Sequence, residues 1–495
     1  MIILLLLWMV TYSTSPFLSL ASADTQTNTA TFFILGQNSR FDNSKATAVK
    51  QAIIKQSERL AKKTQVFIPH LDFPEVTGFW AVWTLFTGRP DWLIYIFRRI
   101  YSLAPSEWYI FLESDSHING DMLFDFLQHL NPQEKHFMGH GLHDESPVII
   151  HHFYGYDRPD EEQFLFPDFA CGFVLSRGLL DEFVFESLYW KTLTISAFYP
   201  YVQTLRYCIN GLNQFNLSFR KFHNLIFVVT GSSYVLPIIA MAFVYTYCSP
   251  TTPCNPASLP SPEDITFAVK TYSGNHDTRV PIIQRTWGSS LSSVKFFSDI
   301  ANDSIPTINS GIPNAARGHC GKTFVILRHY INSINKNSED EGFSWLVIAD
   351  DDTLLSVPRL VQLLSCYGKD EKVILGERYG YGFSNSGRDG YDYPTGGSGI
   401  VFSLSAAKAI VSGCDCPAYD SPDDMIIGIC ARRSGVVIVH SAAFHQARPI
   451  DYPQPYLRRI LPISFHKFDD VDPYQVYTDY LSGPSTSEIK SKQEL

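Results

Sequence analysis

Three aspartates in a row, Asp350, Asp351 and Asp352, follow the apolar run Trp345-Leu346-Val347-Ile348-Ala349. Carboxylates this crowded repel, and each raises its neighbour's pKa unless a cation sits among them. Hard oxygen ligands of this kind suit Mn²⁺ or Mg²⁺ rather than a soft-ligand metal, and such an ion also binds a diphosphate. A second pair of acids, Asp423 and Asp424 in "DSPDDMIIG" (420–428), stands just ahead of an apolar segment. Carboxylates are favourable at a helix N-terminus, which would fix their positions. Thr395-Gly396-Gly397-Ser398-Gly399 has few side chains to obstruct a close ligand, and it suits a turn equally well.

These groups need elements to position them. Short apolar runs such as "TFFIL", "TQVFI", "ITFAVK" and "GVVIVH" alternate with amphipathic stretches, the pattern of an α/β fold with a largely parallel sheet. Ligands collect at the carboxyl ends of strands in such sheets, and the aspartate triplet ends one. The sequence also echoes itself across the proline-rich residues 248–264. "EWYIFLESDS" (107–116) matches "SWLVIADDDT" (344–353), Tyr154-Gly155-Tyr156 matches Tyr379-Gly380-Tyr381, and "FACGFVLS" (169–176) matches "TGGSGIVFS" (395–403). Three markers in one order imply an old duplication. The first copy departs where the chemistry lies. It has Glu113-Ser114-Asp115 for the triplet and Ala170-Cys171-Gly172 for the glycine pair, with nothing like Pro-Asp-Asp after them.

With 495 residues, 45% of them hydrophobic and 14% aromatic, the chain is large enough for two ordinary cores. A formal net charge of −10 and the lack of a basic stripe argue against nucleic-acid binding. Residues 1–23 read as a signal peptide ending in Ala21-Ser22-Ala23, and Lys492-Gln493-Glu494-Leu495 as a variant of the K-D-E-L retrieval address, which together place the protein in the lumen of the endoplasmic reticulum. Nine cysteines suit that oxidising compartment, with several disulfides and one thiol left over. Cys414-Asp415-Cys416 has the wrong spacing for a zinc knuckle. Asn216 and Asn302 open glycosylation sequons. Residues 225–248 are long enough to span a membrane and leave that reading open, but Thr230–Ser233 and Pro237 interrupt them and favour buried structure, so membrane association is not expected. The expected divisions are domains at 28–247 and 265–480, a linker at 248–264 and a tail at 481–495.

One ordered set of motifs goes further: Val269-Lys270-Thr271, His276 with Arg279, Thr286-Trp287, the aspartate triplet, "TGGSG", Pro422-Asp423-Asp424, and "FHQARP" at 444–449. Residues 265–470 thereby resemble the fringe-like β-1,3-glycosyltransferases. The resemblance implies tandem GT-A-like (Rossmann-like) nucleotide-sugar transferase domains, the first degenerate. It implies that Thr271 and Arg279 contact UDP, with Arg279 offsetting diphosphate charge through paired hydrogen bonds. Asp352 and His445 would hold Mn²⁺ or Mg²⁺, and Asp350 and Asp351 would orient the nucleotide sugar and ribose. Asp424 would be the catalytic base with Asp423 beside it, and Gly396 and Gly397 the floor beneath the sugars. Trp287 reads as core. The implied reaction is inverting transfer of glucose from UDP-glucose to the 3-hydroxyl of O-linked fucose on thrombospondin type 1 repeats. The same residues leave open another UDP-sugar. A non-catalytic lumenal chaperone on this fold is disfavoured by the intact triplet and Pro-Asp-Asp. The first half is expected to hold the protein acceptor or to stabilise the second.

Overall fold

The structure is a computed structural model that describes residues 28–73, 105–142, 166–167, 171–181, 227–228, 244–245, 259–305, 307–336, 345–381 and 390–482. The signal peptide, the retrieval tetrapeptide, Asn216, Ala170, most of the linker and most of 225–248 lie outside the described residues. Among the described residues no helix is long and apolar enough to cross a membrane.

In the first half, β1 (Asn28–Leu35), β2 (Thr64–Phe67), β3 (Ser106–Glu113), β4 (Phe137–Gly139), β5 (Phe173–Ser176) and β6 (Phe227–Val228) form a six-stranded sheet in the order β2-β1-β3-β5-β4-β6. Helix α1 (Arg40–Arg59) starts where the Ser39 hydroxyl accepts the Asp42 amide, an N-cap that satisfies an otherwise orphaned donor. Helix α2 (Gly120–Leu127) is capped likewise by Asn119.

In the second half, β7 (Ile265–Lys270), α3 (Val280–Arg285), β8 (Lys295–Ser298), β9 (Thr307–Asn309), α4 (Cys320–Lys336), β10 (Trp345–Asp350), β11 (Thr353–Leu355), α5 (Val357–Leu364), β12 (Val373–Gly376), β13 (Arg378–Tyr381), β14 (Tyr391–Pro394), β15 (Ile400–Ser403), α6 (Leu404–Gly413), α7 (Asp423–Ser434), β16 (Val437–His440), α8 (Gln454–Arg459) and β17 (Ser464–His466) follow in turn. Seven of these strands make the main sheet, ordered β9-β8-β7-β10-β15-β12-β16, and β15 alone runs against its neighbours. Five strands of the first sheet, β2-β1-β3-β5-β4, match β8-β7-β10-β15-β12 of the second in order and relative direction.

The second sheet is buried on both faces, which explains its unbroken apolar runs. Phe267, Val269, Val347 and Ala349 pack with Trp287, α3 and α5, whereas the alternating Ala268, Leu346 and Ile348 pack on α4, α6 and α7. Two disulfides fasten the latter layer. Cys320 at the start of α4 joins Cys416, and Cys414 joins Cys430 within α7. The two cysteines of Cys414-Asp415-Cys416 thus serve separate bridges, so neither is available to a metal.

The halves meet at strand ends. Gln37, just beyond β1, uses its side-chain amide to pair both backbone groups of His440 on the edge strand β16, at 2.8 and 2.7 Å. Arg40 reaches Asp370 and Glu371, and Phe41 packs edge-on against Tyr367. An edge strand so covered no longer offers itself to another chain.

Trp287 is fully buried against Phe267, and its indole N–H donates to the Thr353 carbonyl at 3.1 Å, directly beside the triplet. Trp287→Ala is expected to cost about 3–5 kcal/mol of stability, read as a lowered urea midpoint, whereas Trp287→Phe loses less.

Candidate functional site

The aspartates leave β10 at its carboxyl end, and the chain's own cations separate their charges. Lys270, the last residue of β7, lies opposite Asp350 in the sheet register and binds it at 3.0 Å. Arg279 spans the other two carboxylates, at 3.0 Å from Asp351 and 2.8 Å from Asp352. Asp351 also accepts hydrogen bonds from Thr271 and Asn275, both at 2.8 Å, so it is the most fully satisfied of the three. Burial alone would raise Asp350, yet Lys270 and His466 outweigh it and hold the carboxyl at about 2.

Lys270 also bridges to the second acidic pair. Its ammonium lies 2.5 Å from Asp423, which accepts a further hydrogen bond from Thr323 at 2.7 Å. Burial would raise Asp423, but Lys270 overcomes it and keeps the carboxyl below its ordinary range. Asp424 has the opposite environment. Burial, and then the neighbouring Asp423 charge, push it up to about 6. Two adjacent carboxylates are thus driven apart in acidity, one locked as an anion and one poised to take up a proton.

The imidazole at the aspartates is His466, and this corrects the expectation of His445. The sequence contains two Phe-His pairs, and the strand pairing chooses between them. Antiparallel β17 sets Thr353 opposite His466 and Leu354 opposite Phe465, so Phe465 enters the core and His466 emerges beside the triplet. His466 Nε2 lies 3.2 Å from Asp352 and 4.0 Å from Asp350. His445 is instead wholly buried, stacked on Phe465 with Tyr452 edge-on, and its Nδ1 pairs with the Ser464 carbonyl at 3.0 Å. Burial lowers its pKa to about 4, so it is a neutral core residue.

A cleft of about 310 Å³ opens between the aspartates and the start of α4, lined by Lys270, Thr271, Arg279, His319, Lys322 and His466 among others. Lys322 donates to the Thr271 carbonyl. Thr271 itself is buried, with its hydroxyl turned to Asp351. The glycines divide their work. A Cβ on Gly397 would fall 2.4 Å from the His466 ring, so glycine is required for the imidazole to lie there. At Gly396 a Cβ would meet Lys270 Nζ at 3.9 Å and Asp424 Cβ at 4.0 Å, ordinary contacts that set this glycine between the lysine and the second acidic pair. Gln446 ties this floor to the imidazole: its side-chain oxygen accepts the Ser398 amide and its carbonyl accepts His466 Nδ1–H, each at 3.0 Å. The buried Glu377 carboxylate holds the Gln446 amide at 2.6 Å.

Comparison with known proteins bears directly on this arrangement. The profile described as fringe-like matches residues 93–233 and 261–486. The chain belongs to the fringe-like family. Human beta-1,3-glucosyltransferase is 36% identical over 472 residues, 94% of this chain and 86% of that protein. The mouse protein of the same name is 36% identical over 464 residues, 91% of this chain and 86% of its own. A solved galactosyltransferase, LgtC, in complex with donor and acceptor sugar analogues, overlays on 46% of this chain and 99% of its own at 10% identity and a TM-score of 0.26, too loosely to bear on any residue. As a fringe-like protein the chain is a β-1,3-glycosyltransferase.

For such an enzyme the residues at the triplet fit a divalent ion. One ligand atom each from Asp350, Asp352 and His466 lies within 4.8 Å of the others, the one such group among the described residues. Two carboxylates and an imidazole suit Mn²⁺ or Mg²⁺. Donation from Nδ1 to Gln446 leaves Nε2 as the nitrogen that faces the aspartates and would meet a bound ion once its proton is lost, the outer support that ligating histidines commonly have. Lys322 and His466 lie outside every motif, and Lys270 and Gln446 stand inside motifs that give them no role, although a lysine closing an otherwise apolar strand is a signal for the first of these. His466→Ala is expected to weaken Mn²⁺ binding by more than about 10- to 100-fold, the loss that even an outer partner causes. His445→Phe, which keeps a ring in the aromatic cluster, should retain Mn²⁺ binding, and calorimetry with Mn²⁺ alone checks both.

Proposed function

We propose that this glycosyltransferase moves glucose, with inversion at the anomeric carbon, from UDP-glucose to the 3-hydroxyl of fucose on thrombospondin type 1 repeats. The observation that carries the reading is the cleft in which Lys270 joins the metal-fitting group Asp350, Asp352 and His466 to the Asp423–Asp424 pair. The human and mouse relatives, which bear the name glucosyltransferase over nearly the whole chain, support the choice of sugar.

Asp424 takes the proton of the acceptor hydroxyl as that oxygen bonds to the anomeric carbon. The bond from that carbon to the diphosphate oxygen breaks on the opposite face, and UDP departs with the electron pair. This is the transferase counterpart of an inverting hydrolase, with a sugar hydroxyl in place of water. Asp423 remains ionised on Lys270 and takes no proton. Its charge raises the basicity of Asp424 while Lys270 keeps the pair from repelling Asp350. Asp350, Asp352 and His466 would hold a divalent ion, whose chemistry when bound would be electrostatic stabilisation of the departing diphosphate. Arg279, already shared between two aspartates, lines the same cleft and would offset phosphate charge there.

The endoplasmic reticulum lumen is the compartment we propose, supported by the disulfides Cys320–Cys416 and Cys414–Cys430. For the first half we propose a degenerate transferase domain that stabilises the second. In place of a full triplet it has Asp115 paired with Lys45 at 2.7 Å, and a buried Glu113 raised to about 8 by burial and by Asp115.

The test is incubation of disulfide-intact protein with Mn²⁺, an O-fucosylated repeat and UDP-glucose, UDP-galactose or UDP-N-acetylglucosamine in turn. A hexose mass increment from UDP-glucose alone is expected, and transfer only from another donor, or from none, overturns the reading. Asp424→Asn should lower kcat by about 10²- to 10⁴-fold. Because the base works ionised and its carboxyl sits at about 6, wild-type kcat should fall as pH drops through that value and level off above it.

A further inference from the structure

Beside Asp424 lies a surface that the donor chemistry does not use. Strands β13 and β14 pair antiparallel, with Tyr379 opposite Tyr393 and Tyr381 opposite Tyr391. Residues two apart on a strand share a face, so all four tyrosines project from one side of this hairpin. Their rings form a continuous row, with centroids 5.9 Å apart for Tyr379–Tyr393, 6.5 Å for Tyr393–Tyr391 and 5.9 Å for Tyr391–Tyr381. Exposure rises along it. Tyr379 is 3% exposed, Tyr391 and Tyr393 are half-buried, and Tyr381 is 57% exposed. Core packing accounts for the first ring and not for the last.

The row is held against the face of α7 that begins with Asp424. Asp424, Gly428 and Arg432 are spaced by four and lie along one side of the helix. A Cβ on Gly428 would fall 2.5 Å from both Tyr393 Cβ and the Asp392 carbonyl oxygen, so β14 lies directly on that face. Arg432 donates to the Gly390 carbonyl one turn further along. Burial first, and then the Asp424 charge, raise the phenol of Tyr393, whereas burial, then Tyr381, and only then Asp424 raise that of Tyr391. Gly396, two residues beyond β14, comes within ordinary contact of Asp424, since a Cβ there would lie 4.0 Å from the Asp424 Cβ.

We propose that Tyr393, Tyr391 and Tyr381 form the platform on which the acceptor sugar stacks, its C–H face on the rings and its attacking hydroxyl at Asp424. The proposal rests on the acceptor role given to Asp424 above. The ligand class is a neutral pyranose with one predominantly apolar face, such as a 6-deoxyhexose, because a phenol offers an apolar body with a polar edge for the remaining hydroxyls. A charged sugar is disfavoured, since a carboxylate on the ring would approach Asp424 and Asp423.

The test uses the full chain and compares wild type with Tyr391→Ala, Tyr381→Ala and Tyr391→Phe. Each alanine variant should raise the KM for the fucosylated acceptor by about tenfold or more, and leave the Kd for UDP within about twofold. Tyr391→Phe, which keeps the ring, should restore most of the acceptor affinity. An unchanged acceptor KM in both alanine variants overturns the platform, and so does an equal loss of UDP affinity, which would indicate general collapse of the site. A second measurement separates this from failure of the functional reading. Saturation-transfer NMR with methyl α-L-fucoside should show contact with wild type and a reduced signal with Tyr381→Ala, an exposed position where folding is least at risk. Equal signals overturn the platform even when no acceptor is turned over.

Discussion

Lys270 is the constraint around which the second half is organised. Its ammonium is buried between Asp350 and Asp423, carboxylates from a strand end and a helix start that are separated by more than seventy residues in sequence. Burial alone would strip its proton, but the two anions outweigh that and keep it charged. A buried ion pair of this kind adds little net stability, while removal of one partner leaves an uncompensated charge. Its consequence here is positional. It fixes the separation of the aspartate triplet from the Asp423–Asp424 pair, and it determines which of those two adjacent acids stays ionised.

The rest of the fold supplies the frame for that contact. Lys270 and Asp350 are register partners on parallel strands, so sheet pairing alone sets their approach. Asp423 is brought in by α7, which packs on the sheet through Ile427, Cys430 and Ala431 and is fastened by Cys414–Cys430. The start of α4, which contributes Thr323 to Asp423 and Lys322 to the cleft, is fastened by Cys320–Cys416. From the opposite side, the short pairing of β11 with β17 delivers His466, and Gln446 fixes both the imidazole and the glycine floor. The tyrosine row lies along the helix that begins with Asp424 and runs from the buried Tyr379 to the exposed Tyr381.

Much of this was legible in the sequence, for physical reasons that differ between residues. An apolar run that ends in acids states its own place at a strand's carboxyl end, and Pro-Asp-Asp ahead of an apolar segment states a helix start. The alternating pattern gave both sheets, although the antiparallel course of β15 depends on a connection that no local pattern encodes. His466 was missed because Phe-His occurs twice, and the choice depends on long-range strand register rather than on either neighbourhood. Lys270 was read as part of a motif and not as an ion-pair centre, since its partners are assembled only in the folded chain. The tyrosines of β13 and β14 entered the sequence reading only through Tyr379-Gly380-Tyr381 as a repeat marker. Their common face follows from hairpin pairing.

The central claim is that one site, in the second half alone, takes a nucleoside diphosphate together with a divalent ion. Titration calorimetry of UDP into disulfide-intact protein, with and without Mn²⁺, measures it directly. The account requires one equivalent of UDP per chain, with affinity that rises strongly when Mn²⁺ is present and loses that rise in His466→Ala. Binding of two equivalents, or UDP affinity indifferent to the ion, would contradict it.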